Sequence, residues 1–296
     1  MDENQLLAAR FEANRNQLQA VAYRMLGSLA EAEDALQETW LRVGSSSTNE
    51  VENLAGWLRM VLARVCLDML RKRKSGREVS WEAQALERVP AGESGIDPEQ
   101  EALLAESVGM AMLVVLQRLA PAERLAFVLH DMFAVPFEEI ARIAGRSTAA
   151  ARQLASRARR RVRGEAAAPE ADLMRQREVV EAFLAASRGG DFDALLALLD
   201  PDVTVRADRD AAPPGVATEL RGATVVAKQV LLSSTRARFS WPALVDGTVG
   251  IVMAPRGRLF LVLRFTLVRD KIAHIDVIAE HDRLRRLELA VLPSAT

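Results

Sequence analysis

The sequence holds a single cysteine, Cys66, and a single tyrosine, and aromatic residues make up only 5% of it. One cysteine excludes an internal disulfide framework and a thiolate metal cluster. The opening residues Met1-Asp2-Glu3-Asn4 lack the basic stretch and apolar core of a secretory signal. Long hydrophobic runs are missing too: Ile251–Ala254 and Leu259–Leu263 are far too short to span a bilayer. A cytoplasmic location is therefore the expectation. What is present is a chain of 296 residues, half of them hydrophobic and 27% charged, enough for two or three packed domains.

The net charge of -1 conceals segregation. Between Arg142 and Arg163 stand eight arginines and no acidic residue, and Arg71 to Lys74 forms a second basic run. Acid gathers at Glu31, Glu33, Asp34 and Glu38. Opposite charges on separate segments suit two partners of opposite sign.

The first two-thirds read as helices. Leu18, Val21, Ala22, Met25 and Leu26 share one face of a helix that stops near Gly27. Ser28-Leu29-Ala30-Glu31 predicts a capping box opening the next helix. That helix turns Leu29, Ala32, Leu36, Thr39 and Trp40 toward a core and Glu31, Asp34 and Glu38 outward. A loop at 44–49 follows, then a helix from about Asn53 to Lys74 burying Trp57, Leu58, Val61, Leu62, Val65 and Met69. Glycine and proline at 75–98 mark a linker, helices resume around 99–119, and Pro121 opens another.

The sharpest local signal spans Phe137–Val162. A short helix, Glu138–Ile143, meets the turn Ala144-Gly145-Arg146, and Ser147 is a natural cap for a second helix. On it Ala151, Leu154, Ala155, Ala158 and Val162 form the inward face. Ala149, Arg152, Gln153, Ser156, Arg157 and Arg160 point outward. Small, basic and amide residues on the outer face suit a major groove, so the pattern is a helix-turn-helix. After Pro169 come two helices, Leu173–Ala186 and Asp193–Leu199. Five segments then have the character of antiparallel strands, namely Val203–Ala207, Phe239–Val245, Thr248–Met253, Leu259–Val268 and Lys271–Ile278.

Three stretches carry a family resemblance. Ala22 to Arg42 resembles region 2 of extracytoplasmic-function (ECF) sigma factors, and Gly56 to Arg71 resembles its promoter-melting half. Leu119 to Asp131, with the helix-turn-helix after it, resembles region 4. The final third, best at Phe183 to Val203, resembles the SnoaL-like domain of the NTF2-like superfamily, a tail found in one subgroup of these factors. From that subgroup's Trp-Leu-Pro-Glu-Pro linker signature the chain keeps Trp81. It carries Asp208-Arg209-Asp210-Ala211 where an Asp-Gly-Gly-Gly run is usual. The implied fold is two all-α domains, a region 2 bundle and a region 4 helix-turn-helix, plus an α+β NTF2-like cone. The expected limits are 1–78, a linker at 79–104, 105–165, and 172–290.

The resemblance also assigns roles. Glu31, Asp34, Gln37 and Glu38 would meet core RNA polymerase, steering its docking. Asn53, Arg59, Arg64, Arg71 and Arg73 would serve the −10 element, holding unpaired bases and their phosphates. Asn53 is equally placed as a helix cap, and the spacing of Trp57 favours packing over stacking. For the −35 element the candidates are Arg146, Ser147, Arg152, Gln153, Ser156, Arg157 and Arg160. In the tail His274 and Asp276 alternate on one strand and so share a face, a pair that could line a pocket. The expectation is a non-enzymatic factor with no cofactor and no metal. Its partners would be polymerase and promoter DNA, with a small ligand or intramolecular docking engaging the tail. A one-component regulator with a ligand-binding tail, and a SnoaL-like cyclase fused to a DNA-binding module, remain open.

Overall fold

In a computed structural model of the chain, residues 3–44, 53–77, 109–211 and 218–292 are described. The expected loop beyond Gly44 and the whole 79–104 linker, Trp81 included, lie outside them. The chain divides into two compact units: Met1–Gly109 with Leu116–Arg159, and Met110–Val115 with Arg160–Thr296.

The first unit is helical. Helix α1, Glu3–Leu26, ends because Gly27 turns into the left-handed region at φ 82°, where residues with a Cβ are strained. Its Leu18, Val21, Ala22, Met25 and Leu26 are all buried, as their spacing predicts. Helix α2, Leu29–Gly44, buries Leu29, Ala32, Ala35, Leu36, Thr39 and Val43, while Trp40 stays half-buried, edge-on to Phe11 at 5.2 Å. The capping box is only half realised. Ser28 Oγ accepts from the Glu31 N–H at a long 3.5 Å, but the Glu31 carboxylate takes the Arg73 guanidinium. A full positive charge outcompetes a backbone amide for that carboxylate.

Helix α3, Leu54–Arg77, turns a slightly different face inward than expected. Leu58, Leu62 and Val65 are buried together with Ala63, Cys66, Leu67 and Leu70. Trp57, Val61 and Met69 are only half-buried. Burial pushes the Cys66 thiol well above its ordinary value, leaving it a packing residue.

Helices α4, Met110–Arg118, and α5, Pro121–Phe127, lead through one wide π turn, Val128–Met132, to α6, Phe137–Ala144, and α7, Thr148–Arg163. Pro121 occupies the first position of α5, where its missing N–H costs nothing. Arg124 of α5 is buried, and its Nη1 donates to the Met25 carbonyl at 2.9 Å, satisfying a C-terminal acceptor of α1.

In the second unit, helices α8, Glu170–Gly189, and α9, Phe192–Leu198, pack on a seven-stranded sheet. The strands are β1 Leu199–Ala207, β2 Glu219–Arg221, β3 Ser240–Val245, β4 Thr248–Met253, β5 Leu261–Val268, β6 Lys271–Ile278 and β7 Leu289–Ala290. Their order is β2-β1-β6-β5-β4-β3-β7. Short helices α10, Ala223–Leu232, α11, Ser234–Ala237, and α12, His281–Arg286, fill the connections. The expected α+β domain is present, with one correction to the strand pairing: β1 and β6 run parallel, while every other pair is antiparallel. Parallel neighbours need a long crossover. Here everything from β2 to β5 supplies it. A second correction concerns Leu199, expected to end the second tail helix. It opens β1 instead, and that strand runs through Pro201.

Alternation then sorts the side chains of the sheet. Val205, Ile251, Leu263, Phe265 and Ile275 join the apolar cluster formed by Val180, Phe183 and Leu184 of α8, with Phe183 edge-on to Phe265 at 5.3 Å. The opposite face carries Arg206, His274, Asp276 and Arg264. The β3–β4 hairpin turns on Asp246-Gly247, both at positive φ, the geometry a right-twisted ribbon favours.

Candidate nucleic-acid interface and tail cavity

The α6–α7 pair has the geometry that its residues predict. Gly145 adopts φ 65°, ψ 43° and closes α6 by donating to the Ala141 carbonyl. Ser147 Oγ accepts from the Ala150 N–H at 3.2 Å and so caps α7. Ala151, Ala155, Ala158 and Val162 are buried, and Leu154 is half-buried. Alanine on the inner face lets α7 lie close to its support. Arg146, Ser147, Arg152, Gln153, Ser156, Arg157 and Arg160 are distributed along the outside, where Arg152, Gln153, Ser156, Arg157 and Arg160 meet solvent.

Two of these arginines have loose partners. Arg152 Nη2 lies 3.4 Å from Glu138, with its guanidinium 5.7 Å from the Phe137 ring centroid. Arg157 Nε lies 3.5 Å from Glu123, whose carboxylate also reaches back to the Ala120 N–H. Arg152 and Glu138 are 60% and 63% exposed, so solvent screens that pair to at most about 1 kcal/mol; the Arg157 side chain is 53% exposed, but its partner Glu123 is buried at 7%. A phosphate or guanine edge can take the Arg152 guanidinium away from its carboxylate.

The residues expected at the −10 element are less uniform. Asn53 caps α3, its Oδ1 accepting from the Gly56 N–H at 2.9 Å. Arg59 is half-buried. Arg64 is exposed and donates from Nη2 to the Arg142 carbonyl at 3.2 Å, and Arg71 lies 3.8 Å from Asp68. Arg73 Nη1 reaches both oxygens of Glu31 at 2.9 Å. One candidate for DNA is thus joined to one candidate for polymerase. Of the remaining acidic face, Asp34 and Gln37 are exposed, and Glu38 pairs with Arg42 one turn on at 2.8 Å. Glu33 faces inward to Arg15 at 2.7 Å and Gln19 at 2.6 Å, tying α2 to α1.

In the tail, His274 and Asp276 line one cavity of about 970 Å³, together with Arg206, Asp208, Arg209, Asp210, Glu219, Arg264, Glu280 and Arg283 among others. They do not pair with each other. The Asp276 Oδ2 accepts from Arg264 Nη2 at 2.9 Å and Arg283 Nη2 at 3.0 Å. His274 Nδ1 sits 2.8 Å from the Thr204 hydroxyl. Arg283 Nη1 also bonds Asp208, which accepts from the Ala279 and Glu280 N–H groups at 3.0 Å each. Burial alone would raise the Asp208 carboxyl; those amides and the guanidinium outweigh it and hold the group below its ordinary value. Its contribution to stability is therefore present above the ordinary carboxylate range and lost as pH falls through the lowered value. Burial would likewise lower Arg283, but the same two carboxylates outweigh it and raise the group.

Sequence reasoning missed this network because Asp208, Arg264 and Arg283 lie on three separate elements. The signal it could have used was Arg264 alternating with apolar residues on β5. It also missed Arg124, whose buried guanidinium only the fold explains. Among the described residues no group of His, Cys, Asp and Glu is placed to hold a metal, and no helix is long and apolar enough to cross a membrane.

The α6–α7 pair thus defines a helix-turn-helix protein with a basic, acid-free outer helix. Residues 10–76 match Sigma-70 region 2, and residues 109–162 match Sigma-70, region 4. The chain is 42% identical over 224 residues to ECF RNA polymerase sigma factor SigJ of Mycobacterium tuberculosis, covering 75% of this chain and 72% of that one. A crystal structure of SigJ aligns over 94% of this chain and 98% of its own, at 34% identity and a TM-score of 0.45. An NTF2-like protein from Burkholderia xenovorans LB400 aligns over 39% of this chain and 97% of its own, at 20% identity and a TM-score of 0.29. The chain belongs to the ECF sigma factors of RNA polymerase.

Proposed function

We propose that this sigma factor reads its promoter through two surfaces and meets polymerase through a third. The outer face of α7 reads the −35 element, with Arg152, Gln153, Ser156 and Arg157 toward base edges and Arg146 and Arg160 on phosphates. Arg59, Arg64, Arg71 and Arg73 grip the −10 element. Asn53 holds the start of α3 as its cap, so its part there is to position the helix. Asp34, Gln37, Glu38 and Glu31 form the docking face for core polymerase. The domains are 1–78, 105–165 and 172–290, and the last modulates initiation without catalysing a reaction.

The observation that carries this reading is the exposed polar stripe on a capped helix whose buried side is alanine. Run-off transcription tests it. The full chain added to core polymerase should give initiation at one defined promoter, and a chain ending near Gly164 should change the yield. Absence of promoter-specific initiation would overturn the promoter reading. Unchanged yield on truncation would overturn the modulatory one.

A further inference from the structure

The outer face of the tail sheet carries a row of alternating charge. Glu219, Arg206, Asp276 and Arg264 are register partners across β2, β1, β6 and β5. His274 lies two residues along β6 on the same face, beside Thr204. Within the cavity that this row floors, the charged groups fall into two sets. Arg264, Arg283, Asp208 and Asp276 bond one another and form a rigid wall. Asp276 is 8% exposed, so the wall is anchored in the domain.

The second set comprises Arg206 and Arg209 as cations and Asp210, Glu219 and Glu280 as anions. All five are exposed, and among the described residues no bond joins their side chains to one another or to the wall; the Glu280 backbone N–H alone donates to Asp208. Arg206 stands next to the buried Asp276 in the row. His274, with Nδ1 at the Thr204 hydroxyl, also lines the cavity. Asp210 and Glu280 follow the ends of β1 and β6, Glu219 opens the edge strand, and all three residues line the cavity.

We propose that this cavity binds a small zwitterion of the amino-acid class. Its carboxylate would lie against Arg206 and His274, and its ammonium against Glu219, Asp210 or Glu280. Ligand groups of both signs complete both halves of the second set. A lone oxyanion would meet only the cations of the set, and an apolar ring would complement none of its charges. The helix-facing side of the same sheet is where apolar residues gather, so the two faces differ in the ligand chemistry they can accept. The proposal rests on reading the tail as modulatory only for its effect on transcription, since binding itself needs no polymerase.

Calorimetric titration of the full-length chain tests it, using glycine, glutamate, lysine and arginine as probes and inorganic phosphate and a polycyclic ketone as comparisons. At least one amino acid should bind, and Arg206→Gln should weaken it about tenfold, the loss of one charge-assisted hydrogen bond. Glu219→Gln, on the opposite side, should weaken it less, and Arg206→Lys should recover part of the affinity. Both sites are exposed, so the variants should keep the wild-type unfolding midpoint. Binding of phosphate as tight as that of any amino acid, preferential binding of the ketone, or no heat with any amino acid at millimolar concentration would each overturn the proposal. Failure here with a truncation effect intact removes this inference alone; binding without a truncation effect removes the modulatory reading alone.

Discussion

The arginines of α7 and those of the tail sheet are the same residue type under opposite constraints. Arg152 extends from a helix with a long, screened contact to Glu138. Arg264 and Arg283 are each held by two carboxylates and share the buried Asp276. A guanidinium in the first setting is available to an incoming phosphate or base at little cost. In the second it is part of a wall, with both terminal nitrogens already bonded to carboxylates. An arginine's count of carboxylate partners and their burial, rather than its presence in a basic run, decides whether it can act on a ligand.

Removing Asp276 attacks the fixed set and carries the largest expected effect. Asp276→Ala leaves two guanidiniums facing each other without their shared anion. A fully buried ion pair would lose several kcal/mol, but both arginines are about 40% exposed, so solvent reduces the loss to about 2 kcal/mol. Urea unfolding should show it as a lower midpoint, and a shift under about 0.5 kcal/mol would break the comparison. On the reaching set, Arg152→Ala should leave the unfolding midpoint in place. It should cost about tenfold in −35 affinity, within the roughly 1–3 kcal/mol of a bidentate guanine contact, and relax the preference at that base. Gel-shift titrations on matched and mismatched −35 duplexes measure this, and equal losses on both would reassign Arg152 to phosphate. The smallest effect is expected for Glu138→Gln, which removes the α7 partner alone. Stability should change by less than about 0.5 kcal/mol, with −35 binding unchanged or slightly tighter. A clear loss of stability would mean that this contact holds α6 to α7.

The helix-turn-helix was legible because each of its signals is local: a glycine at the turn, a serine cap, alanines at helical spacing and arginines between them. The acidic face of α2 was legible for the same reason. The bonds that these side chains make were not. Glu31 looked like a capping partner three residues from Ser28, yet Arg73 reaches it from 42 residues away. Strand β2 has three residues and α10 opens with Thr224, Val225 and Val226 in its first turn, so neither stands out from loop or strand by periodicity. The placement of β6 beside β1 depends on how every intervening element packs.

Local pattern alone dictates the helix-turn-helix, the basic outer face of α7 and the strand alternation that puts His274 and Asp276 on one side. These follow from periods of 3.6 and 2 and from turn residues, which act over a few positions. The packed fold is what brings Arg264 and Arg283 together on Asp276, Arg124 to the end of α1, and Arg73 to Glu31. Those contacts join residues that no local rule relates. They exist because burying the apolar faces brings the polar ones together, and an inward-facing charge must then find a partner.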